Sequence, residues 1–577
     1  MCGFLGGNNT AWDFEAGIDS IAHRGPDGKK ICRYQDAALA FARLSVIDLS
    51  NRAMQPMDGA DDRVHIVFNG EIYGYEQLKR DLSKEYSFRT TSDTEVILNA
   101  YLKYGETFVD HIDGMFAIAI LDERDGTFRL FRDRAGIKPL YYLYDGKNFA
   151  FSSELKGIVQ ACPAYPFELD YTALYDYLFY QYIPEPKSMY KNVYKLQPAH
   201  QLTFDIKEKK ILEKKKYWKL HVNTRVSQTR KTKDVQEEFR YLIRKSVKEQ
   251  MIADVLVGTF LSGGVDSSIV TYEASRINPG IEAFCIGFCN QAFDESRYAK
   301  LLTEQYDLNL TARMLSHQDL MDIKGNLKKW YDEPFSDTSA YPTYLVSKLA
   351  REKVTVVLTG DGGDELFGGY ERYGAFVRQR ETLKFKNPKI YKLLLMLHNE
   401  CGVPDKKFYD RFKTEIDLYF ELMGFGFDGV VSKFAKQWKI DKYYEPRWHF
   451  YRYDHKDLPP ITRLRYLDFK TYLPGAVLTK VDRASMQVSL EARVPFLSRE
   501  LMEFAFSLSQ EDCCALGELK GCAKYAYQGV LPDEILFRKK MGFAVTSNSL
   551  SKELRAKSLY AGVLKNEWPG LYAAYNR

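Results

Sequence analysis

The chain of 577 residues is 45% hydrophobic and 28% charged, with 14% aromatics, 38 glycines and 20 prolines. At about 100–200 residues per domain it holds roughly two to four domains, which excludes a lone small binding module, a collagen-like fibre and a mostly disordered chain. Its 82 basic and 77 acidic residues leave a formal charge of +5, too little to argue for a nucleic-acid partner. No apolar run approaches the roughly 20 residues needed to span a bilayer, and the opening MCGFLGGNNT lacks a charged segment followed by an apolar one, so the expected location is the cytoplasm. Nine cysteines are odd in number and thinly spread, as suits reduced thiols in a core and not a disulfide framework.

Residues 1–200 read as short strands with β-type alternation, notably 64–75 and 115–153. Asp125-Gly126 and Asp145-Gly146 each sit between apolar runs, a hairpin signature. Helices are expected at Tyr75 to Leu82 and Thr94 to Tyr104. The segment 205–233 contains KEKKILEKKK and SQTRKTK, the most charged stretch of the chain, and reads as a solvated hairpin and linker. Beyond it come a helix (Val235 to Met251), a strand (Val255 to Leu261), a Gly/Ser turn, a helix (Ser267 to Ile277), a strand (Ile281 to Phe288) and a strand at Val354 to Leu358 ending in a second Gly-rich turn. Alternating strands and helices imply a parallel sheet with ligands at the strand carboxyl ends. From about 375 onward the chain reads as mainly helical.

Cys2 follows Met1 directly, so removal of Met1 leaves a thiol and a free α-amine on one residue, and an amine with pKa near 7.7–8.0 can accept the thiol proton. Alone, a cysteine at position 2 is more often incidental. Here MCGFLGG, HRGPDG (23–28), RLSVIDL (43–49), FNGEIYGY (68–75), TSDTEVIL (91–98) and RDRAGIKPLYY (132–142) follow in order. Over about the first 160 residues this resembles the class II glutamine amidotransferase domain. The resemblance implies Cys2 as nucleophile, Asn69 and Gly70 as oxyanion donors, and a glutamine site of Arg43, Leu44, Val46, Ile47, Asn69, Gly70, Glu71 and Asp93. Arg43 suits the glutamine α-carboxylate and Asp93 its α-ammonium.

The strand into SGGVDSS (262–268) presents Gly and Ser residues at a helix N-terminus, an anion site without the Gly-Lys-Ser/Thr ending of a Walker loop. It resembles the PP-loop of ATP pyrophosphatases. With LTGDGGDELFGGY (358–370), the segment 473–498 and FRKKMGF (537–543), the whole chain resembles the glutamine-dependent asparagine synthetase family. The resemblance implies an α+β N-terminal nucleophile domain, an αββα sandwich with antiparallel sheets (2–205), a linker (206–234), and an α/β parallel-sheet PP-loop domain with a largely helical C-terminal part (235–577). It implies ATP contacts at Phe260, Leu261, Ser262, Gly263, Gly264, Asp266, Ser267, Ser268, Ile286, Thr359 and Gly360. Asp266 and Asp364 would ligate Mg²⁺, and Lys540 would offset charge on the α-phosphate. The expected partners are glutamine, ATP and a carboxylic acid acceptor, aspartate favoured, with no nucleic acid or membrane; a homodimer is compatible with the family.

One departure bears on the acceptor. The family's glutamate in S-G-E-G-x-D-E is Asp361 here, one methylene shorter, so acids such as sugar uronates or natural-product precursors stay open beside aspartate. A non-catalytic glutamine or nucleotide sensor on the same scaffold is disfavoured by intact Cys2, Asn69, Asp266, Asp364 and Lys540. Near-neutral charge and the glutaminase motifs disfavour a nucleic-acid-modifying pyrophosphatase. Cys285 with Cys289, adjacent Cys513 and Cys514, and the tyrosine-rich 175–186 all read as packing, not as metal, redox or base-stacking sites.

Overall fold

The computed structural model describes residues 1–223, 231–288, 294–323, 325–383, 414–423, 434–539 and 568. The first twelve strands are β1 (Gly3–Gly7), β2 (Gly28–Arg33), β3 (Ala38–Arg43), β4 (Met57–Asp58), β5 (Val64–Tyr73), β6 (Asp113–Asp122), β7 (Thr127–Arg132), β8 (Tyr141–Tyr144), β9 (Phe149–Ser152), β10 (Val193–Lys195), β11 (His200–Asp205) and β12 (Lys210–Lys216). They form two six-stranded antiparallel sheets, ordered β10-β8-β9-β1-β3-β2 and β12-β11-β7-β6-β5-β4. Both Asp-Gly pairs turn hairpins, β6 into β7 and β8 into β9. The charged run KILEKKK is the outer strand β12, whose exposed lysines cover a sheet edge in the usual way.

Period-2 alternation decides the layers. Phe4, Leu39, Phe41, Val67, Ala117, Leu130 and Phe151 fill the space between the sheets. Their neighbours point outward: Leu5, Ala40 and Ala42 meet Phe14 and Ile18 of the helix Phe14–Ser20, while Phe68, Phe116 and Ile118 meet the helix Asp93–Tyr104. The result is an αββα sandwich.

The third sheet is wholly parallel and adds β13 (Val257–Phe260), β14 (Glu282–Phe288), β15 (Asn309–Leu315), β16 (Val356–Leu358) and β17 (Glu491–Arg493), in the order β15-β14-β13-β16-β17. Strand β17 lies in the part of the sequence that reads as helical; its three residues, Glu491, Ala492 and Arg493, are too short for an alternation signal and are held by pairing with Val356–Leu358. The tyrosine-rich helix Tyr171–Tyr180 packs against the later part of the chain, Tyr180 donating to the Pro446 carbonyl at 2.8 Å. No helix among the described residues is long and apolar enough to cross a membrane.

A buried ionic network joins the sandwich to the parallel-sheet unit. Arg24 donates to Glu154 at 2.8 Å and to both oxygens of Asp482 at 2.8 and 3.1 Å, and Arg483 reaches Glu154 at 3.3 Å. Burial would raise the Asp482 pKa, but Arg24 and Lys138 outweigh it and hold the carboxyl below its ordinary value. Removing one member of such a set strands a buried charge, at a typical cost of about 3–5 kcal/mol, so the network fixes how the two units meet.

Candidate active sites

Cys2 sits just before β1 with 8% of its surface exposed. Its backbone nitrogen donates to Asn69 Oδ1 at 3.0 Å, its carbonyl accepts from Arg24 Nε at 3.1 Å, and its thiol lies 3.7 Å from the Leu44 carbonyl. While Met1 is attached that nitrogen is a peptide amide, and the positive end of the chain is the Met1 ammonium, buried 2.5 Å from Glu491 on β17. Burial pushes the Cys2 thiol pKa up, and the nearby ammonium pulls it back.

Asn69 and Gly70 lie on β5 opposite Ala117 and Phe116. Asn69 is fully buried; its Oδ1 is taken by Cys2, while its Nδ2 has no partner among the described residues. An orphaned buried amide donor costs about 1–3 kcal/mol unless something arrives to accept from it. Gly70 has φ +151°, and a Cβ there would lie 1.9 Å from the Met115 carbonyl oxygen, so the strand needs glycine at this point.

Next to them Glu71 and Asp93 form a buried acidic pair. Asp93 opens the helix Asp93–Tyr104, capped by Ser92, and accepts from the Ile72 N–H at 3.1 Å. Burial raises its pKa to about 6, and burial together with Asp93 raises Glu71 well above the carboxylate range. A pair so strained electrostatically is suited to receive an ammonium. Arg43 ends β3, 5% exposed, with its guanidinium on the Ser50 carbonyl at 2.7 Å and on the Asp48 carbonyl. The Asp48 carboxylate in turn accepts from Thr91 N at 2.9 Å, tying the loop after β3 to the one before Asp93. Leu44 and Val46 on that loop are buried and Ile47 is half-buried.

The second site lies where β13 and β16 end. After Phe260 and Leu261 the chain turns through Ser262-Gly263-Gly264 into the helix Val265–Ile277, the turn closed by Ser267 Oγ bonding to Ser262 Oγ and Gly264 O, each at 3.1 Å. After β16 the turn Thr359 to Gly362 enters the short helix Gly363–Phe367. The turns abut: a Cβ on Gly360 would sit 2.7 Å from Ser267 N. Between them opens a cavity of about 780 Å³, a size suited to a nucleotide and a small second substrate. Phe260, Leu261, Ser262, Gly264, Asp266, Ser267, Ile286, Thr359, Gly360, Asp361 and Asp364 line it. Gly263 and Ser268 do not; Ser268 is buried beneath the turn. Lys540 lies outside the described residues, although Arg538 and Lys539 line the cavity.

Sequence reasoning missed Lys520. Its ammonium bridges the two acids, 2.6 Å from Asp266 and in contact with Asp364. Burial disfavours the charge, yet the two carboxylates win and raise its pKa. In GELKGCAK nothing marks this lysine; only the fold brings it to residues 254 and 156 positions away. Two convergent carboxylates that already hold a cation between them are a donor set that fits Mg²⁺, which takes one or two carboxylates plus phosphate oxygens. Cys285, on β14, is buried with its thiol pushed up to about 12, an inert core residue; Cys289 lies outside the described residues.

The sites are connected through β17. Glu491 holds the Met1 ammonium, and two residues on the Arg493 carbonyl accepts from Thr359 N at 2.9 Å, at the root of the second turn.

A buried cysteine just before β1 and an asparagine on β5 of an αββα sandwich, joined to a parallel sheet with paired Gly-rich turns, fit a glutamine amidotransferase coupled to an ATP-using synthetase. The family profiles agree: the glutamine amidotransferase domain matches residues 1–218 and asparagine synthase matches residues 238–567. The chain belongs to the asparagine synthase family. It is 35% identical to "Asparagine synthetase [glutamine-hydrolyzing] 1" of Bacillus subtilis over 94% of this chain and 87% of that one. It is 35% identical to "Putative asparagine synthetase [glutamine-hydrolyzing] 2" of Methanocaldococcus jannaschii over 83% and 95%. At 26% it matches "Amidase chry2" of Gibberella zeae over 85% and 78%.

Proposed function

We propose that this ATP-dependent, glutamine-hydrolysing ligase makes asparagine from aspartate. In the first half-reaction the Cys2 thiolate, formed by proton transfer to the α-amine once Met1 is removed, attacks the glutamine amide. Asn69 Nδ2 and the Gly70 N–H donate to the oxyanion, ammonia leaves, and water releases glutamate from the thioester. Arg43 pairs with the glutamine carboxylate, and Asp93 with Glu71 receives its ammonium. The observation that carries this half is the Asn69 side chain, pinned to Cys2 through Oδ1 while Nδ2 stays buried and unpartnered.

In the second half-reaction the acceptor carboxylate attacks the α-phosphorus of ATP in the cavity between the turns, giving an acyl adenylate and diphosphate; ammonia then displaces AMP. Lys520 and the backbone of Ser262 to Ser267 face the β- and γ-phosphates, and Lys540 offsets charge on the α-phosphate. A Mg²⁺ ion held by Asp266 and Asp364 would neutralise charge on the departing diphosphate. Acyl adenylates hydrolyse in water, so ammonia should pass between the sites along a path that excludes it.

Asp361 supports a second reading, the same chemistry on another acid. It lines the cavity, and its N–H is 3.4 Å from Thr359 Oγ1. Carboxylic acids tested one at a time with ATP and Mg²⁺ separate the readings: aspartate is expected to give acid-dependent diphosphate release. No release with aspartate, together with release on a uronate or another acid, would replace asparagine as the product while keeping the ligase class.

A further inference from the structure

Of the lysines and arginines that line the synthetase cavity, Lys520, Lys524, Arg538 and Lys539 each lie 3.9 Å or closer to a carboxylate. Lys480 does not. It stands half-buried on the cavity wall in the first turn of the helix Thr479–Met486, and its ammonium has no carboxylate or hydrogen-bond partner among the described residues. A cation left unpaired at the edge of a substrate cavity is placed to receive an anion.

A carboxylate without a cation stands close by. Asp337, also half-buried on the wall, precedes the helix Ala340–Arg351, which packs against Thr479–Met486. Its Oδ1 accepts from the Ser339 N–H at 2.9 Å and the Ser339 hydroxyl at 2.5 Å, which fixes the carboxylate and leaves Oδ2 for a ligand. One side chain touches the surroundings of both: Tyr331 donates its hydroxyl to the Lys480 carbonyl at 3.3 Å, and burial and then the Asp337 charge raise that phenol's pKa. Two residues beyond Lys480, Asp482 meets Arg24 and Lys138 of the sandwich, so this wall backs onto the domain that carries Cys2.

We propose that Lys480 and Asp337 form the head-group subsite of the acceptor, Lys480 taking an α-carboxylate and Asp337 an α-ammonium. The acid that is activated is then the side-chain carboxyl of an α-amino acid. This deepens the aspartate reading above and rests on it. A zwitterionic head group satisfies both charges at once, and Val477 and Val481, on the same wall as Lys480, offer apolar surface to the methylene. A uronate or a plain dicarboxylic acid brings no cation and would set a second anion against Asp337, so the same pair that binds an amino acid rejects those acids.

The test uses the full chain with ATP and Mg²⁺ and measures acid-dependent exchange of labelled diphosphate into ATP. Aspartate is compared with succinate, which lacks the ammonium, and with β-alanine, which lacks the α-carboxylate. Where an analogue gives no exchange, its inhibition of aspartate-driven exchange supplies the constant. In the wild type both analogues should half-saturate at concentrations roughly 30-fold or more above that of aspartate. K480M should raise the aspartate KM roughly 30-fold and leave β-alanine within about threefold, and K480R should restore most of the loss. D337N should raise the KM of aspartate and of β-alanine by a similar factor while succinate binds no worse. In both variants kcat should fall less than KM rises, because the head group is held alike before and during adenylation. An aspartate KM within threefold of wild type in either variant, or a loss shared equally by all three acids, would overturn the subsite and leave aspartate as the acceptor. Exchange with another acid and none with aspartate in the wild type would instead remove the aspartate reading, and the subsite with it.

Discussion

Replacing Cys2 with alanine is expected to lower glutamine-dependent amide formation by roughly 10³-fold or more, while synthesis from added ammonia stays within about twofold of wild type. The size follows from the chemistry, because no other described group at the site can form the thioester: the neighbours of Cys2 are the side chain of Asn69, the carbonyl of Leu44 and the guanidinium of Arg24. Selectivity follows from the architecture, since the ATP cavity is built from β13, β16 and their turns and contains no atom of Cys2. Alanine keeps the backbone N–H that bonds Asn69, so the sandwich should hold. Parallel assays of glutamate release and of amide formation from ammonium check both halves; loss of both in a folded variant would mean the two centres are not separable.

Asp364→Asn should give the complementary pattern, with acid-dependent diphosphate release reduced roughly 10²–10³-fold and glutamine hydrolysis kept within about threefold. The substitution preserves size but removes one of the two charges that hold Lys520, and that hold Mg²⁺ in the proposed reaction. Asp266 alone then faces both a lysine and the phosphates, so the cation is less well placed against the developing charge. Asp364 lies in the synthetase cavity, whose lining includes no residue of β5, so the glutaminase should be spared. If excess Mg²⁺ restores activity, binding is the main loss; if it does not, positioning is.

Much of this was legible before folding because the elements that build the sites are locally encoded. Alternation in 64–73 places Asn69 and Gly70 on a central strand, the two Asp-Gly pairs turn real hairpins, and both Gly-rich turns leave parallel strands. What the sequence hid is non-local. Strand β17 has three residues and exists because β16 offers a free edge. Lys520 gains its meaning from two acids more than 150 positions away, and Arg24 from Asp482 on a distant helix. Burial and long-range pairing, which create these groups' chemistry, leave no periodic trace.

In the proposed reaction one chain makes ammonia at Cys2 and uses it on an acyl adenylate. Glutamine labelled with ¹⁵N at the side-chain amide, incubated with ATP, Mg²⁺ and aspartate, tests it in a single reaction followed by ³¹P and ¹⁵N NMR. ¹⁵N is expected in the product amide, with AMP and diphosphate appearing in step with it and with glutamate. Formation of ADP and phosphate, or an unlabelled product beside labelled free ammonia, would contradict it.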